Sequence, residues 1–114
     1  ALPTWLNEGL AMQLAGDAWP ELDQAMSGDF TVTPLTYLEG SWGALPASAA
    51  IVAYAEANSA TSYLIERWGM ARVDELLNAL QAKSSLADAI QNKLSVSYEQ
   101  FHRQWIESLE ASQP

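Results

Sequence analysis

Apolar residues recur at helical spacing through the C-terminal half of this 114-residue chain, and no other feature constrains its fold as much. Val73, Leu76, Leu77 and Leu80 fall at i, i+3, i+4 and i+7. Leu86, Ile90 and Leu94 repeat every fourth residue, and Tyr98, Phe101, Trp105 and Leu109 make a third stripe. The first and third rows cover one face of an α-helix but would scatter over both faces of a strand, and the second also keeps to one side of a helix, so each segment is predicted helical. The punctuation agrees. Ser85 precedes the second segment as an N-cap, and Ser97-x-x-Gln100 has capping-box order at the head of the third. Upstream, Pro46 opens the longest segment, which runs to Trp68 and ends at Gly69. Ala and Ser lie on most of its sides, which suits a helix closely approached by its neighbours. Trp5 to Ala15 reads as a further helix, capped near Thr4 and stopped by Gly16-Asp17. Between these lie a short helix over Glu21 to Met26, a Phe30 to Thr33 stretch too short to found a sheet, and a helical turn from Leu35 to Leu38 before a Gly40/Gly43 loop. The expectation is a single all-α domain over residues 1–114, a bundle of about five to six helices.

Charge limits what such a bundle can do. Fourteen acidic and five basic residues give a net charge of −9, and every base (Arg67, Arg72, Lys83, Lys93, Arg103) lies after residue 66. A nucleic-acid partner would need a basic stripe, and there is none. Adsorption to an anionic membrane is disfavoured for the same reason, and no apolar run reaches the roughly 18 residues of a membrane span. With no cysteine, disulfides and thiolate metal sites are excluded. Asp17, Glu21, Asp23 and Asp29 lack the spacing of a calcium loop and read as a solvated segment. The one histidine, His102, reads as a partly exposed residue of the last helix.

Glu8 stands out against this background. On a helical wheel Leu6, Leu10 and Leu14 form one apolar stripe. The opposite side carries Trp5, Ala11, Met12 and Ala15 with Glu8 in their midst, which leaves Gly9 and Gln13 as the polar strip. A helix apolar on two sides is expected to be largely buried, and a carboxylate there must be paired or bind a metal. No Lys or Arg in the first 66 residues can pair it locally.

The string Trp5-Leu6-Asn7-Glu8-Gly9-Leu10-Ala11 resembles the Trp-x-Asn-Glu-Gly-x-Ala segment of gluzincins, the thermolysin- and aminopeptidase-like zinc metallopeptidases. The stretch from Ala53 to Gly69, with Tyr54 near its start and Tyr63-Leu64 before the closing Gly69, resembles the helix that follows this segment in peptidase MA-like domains. The resemblance implies that the chain is the C-terminal helical half of a gluzincin-like catalytic domain. It implies that Glu8 is a zinc ligand and that Asn7 and Gly9 support it from behind. Tyr54 stands where the family's oxyanion-stabilising tyrosine is expected, or is a core aromatic. Catalytic zinc takes three protein ligands and leaves one position for water, and the family supplies two of those ligands from a His-Glu-x-x-His helix.

That helix is absent from this sequence. The expectation is therefore a fragment of a metallopeptidase that acts on peptides or proteins, with zinc held by the intact protein and neither zinc nor activity held by this chain alone. The resemblance also leans toward an extracytoplasmic bacterial setting. A rival reading is a non-catalytic helical interaction module on the same scaffold, with exposed aromatics such as Trp19 or Trp42 anchoring a partner.

Overall fold

The helical periods are realised. The computed structural model describes residues 2–16 and 34–112. Within them α1 spans Thr4–Ala15, a 3-10 helix Leu35–Leu38, α2 Ala47–Trp68, α3 Met70–Gln81, α4 Leu86–Leu94 and α5 Tyr98–Ser112. No strand occurs among the described residues, so the architecture is all-α. No described helix is long and apolar enough to cross a membrane. The expected Glu21 to Met26 helix, the Phe30 to Thr33 stretch, the acidic segment from Asp17 to Asp29 and Trp19 lie outside the described residues.

The chain divides into two compact units, one of Pro3–Ser62 and one of Tyr63–Pro114 with Ala1–Leu2. In the first, the α1 cap is Pro3 rather than Thr4. The Pro3 carbonyl accepts the N–H groups of Leu6 (3.1 Å) and Asn7 (3.0 Å), and the Thr4 N–H donates to the Glu39 carbonyl at 2.9 Å. A backbone donor that a helix start normally leaves to a side chain or water is thus tied to the loop after the 3-10 helix. Gly16, left-handed at φ 69°, ends the helix.

Burial on α1 departs from the wheel. Trp5, Leu6, Gly9, Leu10 and Met12 are buried, whereas Leu14 is 79% exposed. Residues four apart drift about 40° around a helix, so a row that starts in contact at Leu6 has left it two steps later. Gly9 belongs to the contact and not to a polar strip. A Cβ there would overlap the Thr61 hydroxyl and lie 2.5 Å from the Ala57 carbonyl oxygen. One turn on, the Gln13 amide donates to the Asn58 side-chain oxygen at 2.7 Å. The small side chains of α2 serve this close approach, with Ala53, Ala55, Ala57 and Ala60 buried.

In the second unit α4 packs against both α3 and α5. The stripes supply its interior: Val73, Leu76, Leu80, Ile90, Leu94, Phe101 and Trp105 are buried, while Leu77, Leu86, Tyr98 and Leu109 are half-buried at the margins. Tyr63, Trp68 and Phe101 form a cluster with ring centroids 5.8–5.9 Å apart. Gly69 turns the chain from α2 into α3 at φ 86°, ψ 159°, a conformation essentially reserved for glycine.

The expected caps are formed. The Ser85 hydroxyl accepts the Asp88 N–H at 3.1 Å. At α5 the Ser97 N–H donates to the Gln100 side-chain oxygen (2.8 Å) and the Gln100 N–H to the Ser97 hydroxyl (3.0 Å). Ser85→Ala should lower the unfolding free energy by about 1 kcal/mol, and Ser85→Asp should restore most of it, both measured by denaturant titration.

His102 packs edge-on against Trp105 with centroids 5.7 Å apart, and its Nε2 is buried with no hydrogen-bond partner among the described residues. Burial pushes the imidazole pKa below its ordinary 6.5. The unfolded chain then binds the proton more readily than the folded one. The stability His102 contributes is therefore present above about pH 6.5 and lost as pH falls through the folded value. An NMR titration should place the His102 midpoint below 6.5, and His102→Gln should remove this component of acid sensitivity.

Candidate functional site

Three segments of the first unit converge on one cavity of about 620 Å³. From α1 come Thr4, Asn7 and Glu8, at i, i+3 and i+4, which is the spacing that places side chains on one helical face. From α2 come Ala50 and Tyr54, again one turn apart. The loop after the 3-10 helix adds the stretch from Glu39 to Gly43. The hydrogen bond from the Thr4 N–H to the Glu39 carbonyl fastens this loop to the start of the helix that bears Glu8. The close approach at Gly9, on the neighbouring face of α1, fastens that helix to α2. Glu8 is thus carried by backbone held on two sides.

Glu8 is half-buried and Asn7 is exposed. The sequence led us to expect Glu8 among packed side chains. It instead borders open space, and no hydrogen bond or ion pair engages its carboxylate among the described residues. Among the described residues the charged ones lining the cavity are Glu8 and Glu39, with no Lys, Arg or His. Among the described residues the fully buried carboxylate is a different one, Glu56 on α2.

Tyr54 is half-buried on the cavity wall, with its ring set edge to face against Trp42 at 5.0 Å and 84°. Trp42 is itself half-buried, and its indole N–H donates to the Leu38 carbonyl at 3.1 Å. This corrects the reading of Trp42 as an exposed anchor: the ring is fixed as a wall of the cavity. Tyr54 also packs against buried Met12 and Ala55, so it is at once a packing residue and a cavity residue.

Four of the residues singled out in the sequence therefore share one small region. Asn7, Glu8 and Tyr54 line the cavity, and Gly9 lies behind it against α2. Sequence reasoning passed over Glu39 and the wall role of Trp42. The pair of glycines at 40 and 43 was the available sign, since it allows a loop to fold close against its neighbours.

The chemistry open to such a site is set by its donors. A half-buried carboxylate that faces a roomy polar cavity suits a divalent cation, and imidazole or carboxylate partners would be needed to complete the coordination. Among the described residues no three His, Cys, Asp or Glu side chains gather as a metal-binding group. Of the described residues on the cavity, Glu8 could serve as one ligand of such an ion, and the remaining ligands would have to come from elsewhere.

Compared with known proteins, residues 1–111 match the family described as the Peptidase MA superfamily. No curated protein and no solved structure matches the chain.

Proposed function

Because the chain belongs to the peptidase MA superfamily, we propose that it is the C-terminal helical part of a gluzincin-type, zinc-dependent metallopeptidase in which Glu8 supplies one of the metal ligands. The observation that carries this reading is the placement of Glu8, half-buried, on a cavity that Asn7 and Tyr54 also line, with no cation among the described lining residues. A carboxylate held this way is expensive to desolvate unless a positive charge meets it.

Zinc, when bound, would supply a Lewis acid that polarises a peptide carbonyl and lowers the pKa of water. The rest falls to residues of the protein. Glu8 would hold one coordination position, and histidines from a segment outside this sequence would hold the others. Asn7 orients the carboxylate or contacts substrate at the cavity mouth. Gly9 keeps α1 against α2 and so fixes the height of Glu8 above the cavity floor. The Tyr54 hydroxyl donates to the carbonyl oxygen of the scissile peptide as negative charge develops there. Tyr54→Phe, made in the protein that joins this chain to its histidine-bearing segment, should lower kcat by roughly 10²-fold while leaving the unfolding midpoint nearly in place. Unchanged turnover would remove Tyr54 from the reaction.

Zinc titration tests the reading as a whole. The chain alone, with one ligand, should bind zinc weakly and cleave nothing, whereas the joined protein should take up one equivalent. The rival reading, a non-catalytic helical module, is favoured by the shortage of donors among the described residues. It predicts that the joined protein takes up no zinc either.

A further inference from the structure

Resting on that reading of the cavity, we infer that Glu39 makes it select peptides carrying a side-chain cation, lysine or arginine. Once a metal takes Glu8, Glu39 is the one charged residue left on the cavity lining among the described residues. No hydrogen bond or ion pair engages its side chain among the described residues. Its position is nonetheless fixed, because its carbonyl accepts the Thr4 N–H at 2.9 Å. Three residues on, Trp42 lines the same cavity, with its ring oriented by the bond to the Leu38 carbonyl and by the edge contact with Tyr54.

A carboxylate and an aromatic ring that line one cavity are complementary to an ammonium or guanidinium group carried on an apolar stem. The carboxylate accepts its hydrogen bonds, and the ring attracts the charge and covers the methylenes. A volume of about 620 Å³ lies within the range of small-ligand sites and admits a long side chain. An acidic side chain would meet like charge there. A neutral aliphatic one would leave Glu39 partly desolvated with nothing in exchange, which is the usual basis of discrimination against an isostere.

The test uses the metal-free 114-residue chain carrying Glu8→Gln, which removes the carboxylate that a metal would occupy, and follows the Trp42 indole N–H by NMR during peptide titration at low salt. Three probes are compared: N-acetyl-Ala-Lys-Ala-amide, the same peptide with norleucine in place of lysine, and the norleucine peptide with a free amino terminus. The lysine peptide should bind about tenfold more tightly than its blocked norleucine counterpart. Glu39→Gln should abolish that preference, and Glu39→Asp should retain most of it. Equal affinity for lysine and norleucine, no response to either, or an unchanged preference in Glu39→Gln would overturn the inference. Preferential binding of the free-amine norleucine peptide would assign the cation to the amino terminus and overturn the side-chain assignment. Failure of zinc uptake or hydrolysis in the joined protein would sink the peptidase reading but would leave this metal-free binding result standing, so the two are separable.

Discussion

Gly9→Ala should destabilise the chain by roughly 3 kcal/mol or more, although alanine is the better helix former by about 1 kcal/mol. The added methyl overlaps the Thr61 hydroxyl, lies 2.8 Å from the Thr61 Cβ and comes within 2.5 Å of the Ala57 carbonyl oxygen. A flexible side-chain tip would move aside. A helix backbone carbonyl will not, so α1 and α2 must separate and the packing of Met12, Ala55 and Tyr54 must loosen with them. Thr61→Ala in the same background removes the hydroxyl overlap but leaves the carbonyl contact, so it should recover only part of the loss. Denaturant unfolding of the two single variants and the double variant gives the coupling directly. Full recovery in the double variant would show that the side chain, not the backbone, sets the helix separation.

Glu8→Gln should have the largest effect on activity. In the joined protein it is expected to lower kcat/KM by on the order of 10³-fold or more, since even partners one step removed from a metal commonly cost 10–100-fold. Glutamine preserves the size of the side chain and removes the charge that a divalent ion requires. Stability should move by no more than about 0.5 kcal/mol, because the carboxylate is half-buried beside open space and no ion pair among the described residues is broken. The combination separates a ligand from a structural residue. Activity loss that tracks unfolding would assign Glu8 to the fold instead.

Much of this arrangement was legible in the sequence, for identifiable reasons. The boundaries of α2 to α5 were set by local chemistry: Pro46 at the start of α2, Gly69 at its end, and the serine caps at Ser85 and Ser97. Local rules operate within a few residues and do not wait on tertiary contacts. Orientation was harder to read. Glycine has no side chain by which a hydropathy pattern can class it, so Gly9 passed as part of a polar strip when it was the tightest contact of α1. Leu14 passed as core because a four-residue row ignores the drift of the helix, and it stands 79% exposed.

Asn7, Glu8 and Tyr54 were singled out because recognisable strings carried them, and these three residues line one cavity. Glu39 had neither a period nor a motif to mark it. Its place on the wall follows from the loop's hydrogen bond to Thr4, which is a tertiary fact. Glu56 was hidden for a related reason. In a helix of alanines and serines nothing local indicates which side is covered, and its full burial depends on what packs against α2.

The central claim is that the Glu8 carboxylate meets a metal ion. A crystal structure of the joined protein grown with zinc tests this most directly: the account predicts a Glu8 carboxylate oxygen about 2.0–2.2 Å from the ion, with imidazole nitrogens completing the set. Zinc bound with Glu8 turned away from it, or no zinc bound at all, would contradict the account.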